Sequence, residues 1–243
     1  NDSNTNACLL GEYFLQHGCK TVVVGAPKTI DGDLRNQFIP ISFGFHTACR
    51  VYSEQVSNVM TDALSSQKYW HMIRLMGRAA SNIALEVALQ TGPNVCLISE
   101  EVAEREQSLS GISKAIATTI CQRAQAGKDY GIVLLPEGLI EFIPEFKLLI
   151  EEINDIMAKG GVHPTEEAVM HALSFNNKAV FSYLPSDIKL QLLLDRDPHG
   201  NVQVAKIETE RLLAQTVAQE LELLREHGQY DGTFRPQYDG TFR

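Results

Sequence analysis

The stretch that decides the fold is Thr21–Asn36, which reads TVVVGAPKTIDGDLRN. Its run of β-branched valines, Val22–Val24, is followed by Gly-Ala-Pro, a pattern typical of a buried strand that ends in a loop. Lys28, Asp31 and Asp33 come immediately after it. In open parallel α/β sheets, ligands bind beyond the carboxyl ends of the strands. The segment therefore predicts a strand that delivers one cation and two carboxylates to a binding edge.

The charged groups of this loop suit phosphoryl transfer. Lys28 can neutralise phosphate oxygens as a point charge. One carboxylate of the pair Asp31 and Asp33 can take a proton from an attacking hydroxyl, and the other can help to hold Mg²⁺. The same composition is typical of a solvated acidic turn, because Gly-Asp is common in turns. From this segment alone, both interpretations stay open.

The composition is that of a globular protein without a membrane span. The chain has 243 residues, 44% hydrophobic and 21% charged, which is enough for one large domain or two small ones. No apolar run approaches the length of a transmembrane helix. The net charge of −9 disfavours nucleic acid as a partner, because a phosphate backbone requires a basic face. A small phosphorylated substrate needs only a local group of cations and a metal.

Cysteine and histidine spacing excludes the common zinc and disulfide patterns. The five cysteines never form C-x-x-C, and the seven histidines include no H-E-x-x-H pair. No signal peptide opens the chain, so we expect a cytoplasmic protein with reduced thiols. Because the sequence begins without methionine, we also expect residues to be missing upstream.

Strand and helix patterns alternate over the first two thirds of the chain, which predicts a Rossmann-like parallel sheet with flanking helices. The predicted strands are Val22–Val24, Trp70–Leu75, Val95–Ile98 and Gly131–Leu135. The predicted helices run from Asp2 or Ser3 to His17, from Phe45 to Ala63, from Arg78 to Gln90, and along the stripe Ile112, Ile116 and Ile120.

After Gly138 the pattern becomes helical, and no buried strand interrupts it. The predicted helices are Phe146–Met157, stopped by Gly160-Gly161, one opened by His163-Pro164-Thr165, Leu184–Leu194 and Glu208–His227. We therefore predict an α/β domain over residues 1–140 and a mainly helical lobe over residues 141–243.

The chain ends in a repeat. Gln229–Arg235 reads QYDGTFR, and the same letters recur at Gln237–Arg243. Two copies are too few for a solenoid. We interpret the repeat as a duplication, an artefact or an ambiguous trace rather than as a functional element.

Polar groups follow each predicted strand. They are Asp31 and Asp33 after the first, Met76-Gly77-Arg78 after the second, Ser99-Glu100-Glu101 after the third and Pro136-Glu137-Gly138 after the fourth. Arg78 at a helix start can meet an anion with both its guanidinium and backbone N–H groups. In a parallel sheet these four sets share one edge, so the sequence predicts a polar site there.

Five segments in sequence order resemble the phosphofructokinase family, most closely its pyrophosphate-dependent, long-chain branch. They are PKTIDGD at 27–33, SFGF at 42–45, KYWH at 68–71, RLMGR at 74–78 and PEGLIE at 136–141. The resemblance covers nearly the whole chain. It implies a phosphofructokinase-like fold and a glycolytic transferase that uses Mg²⁺ to phosphorylate the 1-hydroxyl of fructose 6-phosphate, reversibly with pyrophosphate.

The resemblance also implies roles for individual residues. Asp31 would be the base, with Thr29 and Asp33 lining the transferring phosphoryl group and Asp33 near the metal. The sugar phosphate would be bound by Met76, Gly77, Arg78 and Glu137. Lys68 and Tyr69 would reach the sugar phosphate of a neighbouring subunit. The resemblance therefore also implies a homo-oligomer, with a dimer favoured.

The phosphoryl donor is implied by the first residues. Asn1–Asn6 resembles the turn of pyrophosphate users, in which Asp2 matches a carboxylate that would obstruct and repel the α-phosphate of ATP. Lys28 would supply a cation to pyrophosphate. Asn1 stands where the family has an acidic, metal-associated residue, and His46 replaces a usual Asp. The family's upstream glycine-rich phosphate loop and its downstream Tyr-x-Gly-Arg segment are absent from the sequence, which suggests an excised middle portion.

Several alternatives remain. Glu100 and Glu101 either approach the metal or form a solvated helix start, and we interpret Trp70, His71 and Cys96 as packing residues. An ATP-dependent phosphofructokinase, a non-catalytic regulatory subunit of the same family and an unrelated α/β domain are the competing functional hypotheses.

Overall fold

A computed structural model describes residues 2–26, 28–160, 165–197 and 200–239, except for the side chain of Asp2. Its sheet has four strands in the order β2-β3-β1-β4. The strands are β1 (Trp70–Leu75), β2 (Val95–Cys96), β3 (Gly131–Pro136) and β4 (Pro236–Asp239). Every pairing is parallel, with Trp70 opposite both Gly131 and Pro236. The parallel sheet predicted from the alternating pattern is therefore confirmed.

Helices flank this sheet and fill the second half of the chain. They are α1 (Asp2–Gln16), α2 (Phe45–Ser66), α3 (Asn82–Thr91), α4 (Ser99–Glu104), α5 (Leu109–Gln125), α6 (Leu139–Phe142), α7 (Pro144–Gly160), α8 (Glu166–Ala172), α9 (Phe175–Tyr183), α10 (Ser186–Leu194) and α11 (Thr209–Glu226). A short 3₁₀ helix, Val204–Lys206, precedes α11. No helix in the described ranges is long and apolar enough to cross a membrane.

The sheet separates two hydrophobic cores. Trp70 and Met72 of β1 point into the larger core, which α5, α7 and α11 complete. Ile73 and Leu75 point into the smaller core against α2 and α3. Successive strand residues face opposite sides, so a strand buried on both faces reads as a continuous apolar run.

The predicted strand Val22–Val24 is wrong. Its residues belong to no strand, and Val22 and Val24 are 81% and 83% exposed. A strand requires a neighbour to satisfy its backbone groups, and no described segment pairs with this one. Residues 28–33 nevertheless reach the sheet edge by another route, as shown below.

The helix predicted from Arg78 begins only at Asn82. Gly77 has φ 133°, and a Cβ there would lie 2.8 Å from the carbonyl oxygen of Ala80. This tight turn occupies the residues expected to form the first helical turn. Residues 77–81 are called the β1–α3 loop.

Other predicted boundaries differ by a few residues. Strand β2 ends at Cys96 because Ile98 already precedes α4. The helix predicted to open at His163-Pro164-Thr165 is α8, and the Thr165 hydroxyl caps it by accepting the Ala168 N–H. His163 and Pro164 lie outside the described residues. The start of α4 was one of the two interpretations of Glu100 and Glu101, whereas the short helices α6 and α9 were not predicted.

The two copies of the terminal repeat have different environments. Tyr230 of the first copy is buried, and its neighbour Thr233 donates its N–H to Asp129 over 3.1 Å. The second copy supplies β4, whose Asp239 lies 2.7 Å from Nδ1 of His71. β4 is a strand that follows Gly138, but none of its residues is buried, so the expectation that no buried strand interrupts this region still holds; residues 141–239 are otherwise mainly helical where they are described. The domain boundary near residue 140 stays a prediction.

Candidate functional site

The site is built where the segments after β1 and β3 meet. The Glu137 N–H donates to the Leu75 carbonyl over 2.9 Å, and the Gly138 N–H donates to the Gly77 carbonyl over 3.2 Å. The two segments also approach closely, because a Cβ on residue 138 would lie only 1.9 Å from the carbonyl oxygen of Arg78. Glycine is required at 138 because the two backbones approach too closely for any side chain. Glu137, which is buried, and Arg78 are thereby neighbours.

Asp31 reaches this edge although no strand precedes it. Its carboxylate accepts the backbone N–H groups of Arg78 and Ala79. The Asn82 side chain donates to the Asp31 carbonyl over 3.1 Å. The loop from residue 28 to 33 is thus bonded to the β1–α3 loop and to the first residue of α3, and Asp31 lies beside Arg78.

A second set of bonds shapes the loop that carries Asp31. The Thr29 hydroxyl accepts the Asp31 N–H over 3.2 Å, and Ser42 donates its hydroxyl to the Thr29 carbonyl over 2.6 Å. The hydroxyl of Thr29 thus turns toward the backbone of Asp31.

The surroundings of Asp31 shift its pKa in opposite directions. Burial raises its pKa, and the neighbouring carboxylate of exposed Asp33 raises it further. The N–H groups of Arg78 and Ala79 oppose this rise. A carboxylate with a raised pKa is a stronger base, which suits a group that must accept a proton from an alcohol.

Arg78 lies in a loop rather than at a helix start, so the prediction that it opens a helix is wrong. Its guanidinium lies 3.6 Å from the Glu141 carboxylate, and the two side chains are 45% and 32% exposed. Burial raises the pKa of Glu141, and the charge of Arg78 opposes that rise. The cation remains accessible to an anionic ligand.

Tyr52 and Glu141 are site neighbours that the sequence analysis missed. Tyr52 is only 6% exposed. Burial raises its pKa, as do the charges of Glu137 and Asp31, so its ring lies near both carboxylates. Tyr52 lies within the helix predicted from Phe45 to Ala63, and the sequence analysis gave it no role at the site.

Two of the other predicted site residues lie apart from this group. Lys68 and Tyr69 precede the amino end of β1, about 20 Å of strand away from Arg78. Lys28 is exposed, and Met76 is half-buried against the smaller core. Asn1 lies outside the described residues, as does the side chain of Asp2. His46 is exposed on α2, as a helix-face substitution would be.

The described residues contain no group of three or more His, Cys, Asp or Glu side chains placed to hold a metal ion. Mg²⁺ is typically held by one or two carboxylates together with substrate phosphates and water. The adjacent carboxylates of Asp31 and Asp33 are the donor type that this ion requires.

Comparisons with known proteins agree with the geometry. The family model for phosphofructokinase matches residues 5–173. The chain is 54% identical over 241 residues to the pyrophosphate–fructose 6-phosphate 1-phosphotransferase of Treponema pallidum, covering 96% of this chain and 42% of that protein. It is 53% identical over 233 residues to subunit beta 2 of the Arabidopsis thaliana enzyme of that name, covering 96% and 41%.

The plant alpha subunit is a more distant relative. The Arabidopsis thaliana protein named subunit alpha 2 of the same phosphotransferase is 42% identical over 230 residues, covering 95% of this chain and 37% of the relative. The chain thus spans about two fifths of the length of the curated relatives it matches. Because the family match extends over more than half of these residues, the chain belongs to the phosphofructokinase family.

Proposed function

We propose that this chain carries part of the active site of a pyrophosphate-dependent phosphofructokinase. The reaction is transfer of a phosphoryl group from pyrophosphate to the 1-hydroxyl of fructose 6-phosphate, in either direction. The observation that supports it is the meeting of Asp31, Arg78 and Glu137 at one sheet edge, because a base, a phosphate-binding cation and a hydroxyl-binding carboxylate are then adjacent.

In this proposal Asp31 accepts the hydroxyl proton as the sugar oxygen attacks phosphorus. The new O–P bond forms, the bridging O–P bond of pyrophosphate breaks, and inorganic phosphate leaves. Arg78 and Gly77 bind the sugar phosphate with Met76, and Glu137 accepts hydrogen bonds from the sugar hydroxyls. Phosphoryl transfer depends mostly on such positioning and on charge neutralisation.

Pyrophosphate is positioned by Lys28 and Thr29 in the same proposal. Asp33 would hold Mg²⁺, with Asn1 at the position where the family has an acidic, metal-associated residue. Bound there, Mg²⁺ would neutralise charge on the transferring group. Asp2 limits the donor to pyrophosphate, since its carboxylate would repel the α-phosphate of ATP.

We further propose that the protein acts in glycolysis in the cytoplasm and that it forms a homo-oligomer, with a dimer favoured. Lys68 and Tyr69 lie away from Arg78 of their own chain, which favours a contribution to a neighbouring subunit's site. Relatives named as subunits make an assembly reasonable.

The test uses the longest natural protein that carries this sequence, hereafter the full-length protein. We expect turnover with pyrophosphate and none with ATP, and turnover with ATP alone would identify the ATP-dependent alternative. Replacing Asp2 by Gly should admit ATP. An unchanged donor preference would contradict the steric role of Asp2.

Asp31→Ser tests whether the site is catalytic. We expect kcat to fall by about 10²–10⁴-fold, the usual contribution of a general base, with both KM values nearly unchanged. Asp62→Ser, on the exposed face of α2, is the matched control. Full activity of Asp31→Ser would favour the non-catalytic subunit alternative.

A further inference from the structure

Two neighbouring carboxylates of α4 have different surroundings. Glu100 accepts the backbone N–H of Ser81 over 2.9 Å, across 19 residues of sequence. Glu101 lies 3.6 Å from Arg105 of its own helix, and both of those side chains are more than half exposed. Only Glu100 therefore bonds to another segment through its side chain.

The contact between Glu100 and Ser81 is part of a larger connection. Ser99 donates its N–H to the Ser81 hydroxyl oxygen over 2.9 Å, and Ser81 and Ser99 are each 2% exposed. The Ser81 hydroxyl also bonds to the Glu100 carboxylate. The start of α4, after β2, thus holds the last residue of the β1–α3 loop by three hydrogen bonds.

The bonds from Ser81 keep Glu100 charged. Burial alone would raise the pKa of Glu100, but the hydroxyl and N–H of Ser81 outweigh burial and lower it. Hydrogen bonds to an ionised acceptor are shorter and about twice as strong as neutral ones. Glu100 is itself exposed, so solvent screens part of this strength, whereas its partner Ser81 is buried.

The β1–α3 loop carries the groups that the proposed reaction uses. Its Arg78 and Ala79 N–H groups bond to the Asp31 carboxylate, and its Gly77 carbonyl accepts the Gly138 N–H. The loop turns tightly at Gly77, so its position depends on how its far end is held. Ser81 is that end, and its carbonyl accepts the Leu85 N–H as α3 begins.

We propose that Glu100 is a positioning residue. By holding Ser81, it keeps the β1–α3 loop in place, so that the N–H groups of Arg78 and Ala79 stay beside the Asp31 carboxylate. Glu100 does not touch the substrate in this proposal. The inference rests on the proposed function, because the sugar phosphate is the ligand that this loop would bind.

The test compares three variants of the full-length protein. Glu100→Ala removes the acceptor, Glu100→Gln keeps an acceptor oxygen without the charge, and Glu101→Ala removes the adjacent carboxylate of the same helical turn. For Glu100→Ala we expect kcat/KM for fructose 6-phosphate to fall by about 10–100-fold, since displacements near 1 Å carry costs of that size. We expect KM for pyrophosphate to change less than twofold.

The two other variants separate positioning from general stability. Glu100→Gln should recover kcat/KM to within about fivefold of wild type, and Glu101→Ala should stay within twofold. Each rate is measured at least 15 °C below that variant's Tm and divided by the folded fraction.

Three results would overturn the inference. They are unchanged kinetics in Glu100→Ala, a fall in the kcat of Glu100→Ala that disappears once the rate is divided by the folded fraction, and equal losses in Glu100→Ala and Glu101→Ala. If the wild-type protein has no activity with pyrophosphate or ATP, the proposed function itself fails, and this outcome is separate from the variant comparison.

Discussion

The backbone of Gly138 lies against the carbonyl oxygen of Arg78, so that a Cβ on residue 138 would be 1.9 Å from that oxygen. The atom in the way belongs to the backbone and cannot rotate aside. This contact sets the distance between the segment that follows β3 and the β1–α3 loop. It joins Glu137 and Arg78 into one site.

Gly138→Ala should therefore displace the β1–α3 loop. We expect the free energy of unfolding to fall by about 1–3 kcal/mol, as for other overpacked sites, together with a rise in KM for fructose 6-phosphate. Gly111→Ala is the control, because its Cβ would meet only the Ser108 hydroxyl at 3.5 Å. Urea unfolding and steady-state kinetics give both quantities, and equal behaviour of the two variants would contradict the contact.

The buried ion pair between Arg74 and Glu210 joins the sheet to α11. Arg74 Nε lies 3.2 Å from the Glu210 carboxylate, the side chains are 7% and 4% exposed, and the Arg74 guanidinium also donates to the Ile207 carbonyl. Arg74→Met should cost about 3–5 kcal/mol because it leaves a buried carboxylate without its cation. Urea unfolding measures the change.

The double variant Arg74→Met/Glu210→Leu removes both charges and should regain most of that loss. Arg50→Met breaks an ion pair whose side chains are 82% and 68% exposed, and it should cost less than about 1 kcal/mol. If Arg74→Met were as mild as Arg50→Met, the pair would not stabilise the fold.

Tyr230 should make the protein sensitive to alkali. Burial, and then the charge of Asp129, raise its pKa from 10.0 to about 12. Between these values the unfolded chain loses a proton that the folded protein keeps, so stability falls as the pH rises. We expect the free energy of unfolding to fall by about 1–3 kcal/mol over this range because of Tyr230. The Tyr230→Phe variant should not show this contribution.

Thermal unfolding from pH 9 to pH 11.5 measures this difference in slope. Tyr238→Phe is the matched control from the second repeat copy, because Tyr238 is 41% exposed. A Tyr230→Phe variant with the same slope as wild type would contradict the assignment to this hydroxyl.

The cysteines should divide by reactivity. All five are free, with Cys8 and Cys19 exposed. Burial, followed by the charge of Glu86, raises the pKa of Cys49 to about 11, and burial followed by the charge of Glu101 does the same for Cys96. Only thiolates react with iodoacetamide.

At pH 8 we expect Cys8 and Cys19 to be alkylated while Cys49 and Cys96 are not. All five should react once the protein is unfolded in urea, which serves as the control. Peptide mass spectrometry identifies the labelled positions. Rapid labelling of Cys96 in the folded state would show that its thiol is not protected by burial.

Sequence periodicity predicted the strands that are buried on both sides and the long helices correctly. Gly131–Leu135 is a continuous apolar run, Trp70–Leu75 is one interrupted by His71 and Arg74, and α11 buries Leu213, Val217 and Leu221. Val22–Val24 has the same composition but is exposed, because composition does not supply a hydrogen-bonding partner. The same limit explains β4, a short polar strand that pairs with β1 through its backbone.

By itself the sequence determined the parallel α/β class and predicted the polar residues that follow β1, β2 and β3, because both follow from patterns within about ten residues. Only the tertiary structure decided that the Arg78 and Ala79 N–H groups meet the Asp31 carboxylate, that Tyr52 lies near Glu137, and that Glu100 rather than Glu101 holds Ser81. These relationships join residues 19 to 85 positions apart, and no local spacing encodes them. They arise because buried backbone groups must find partners wherever the packed chain brings them.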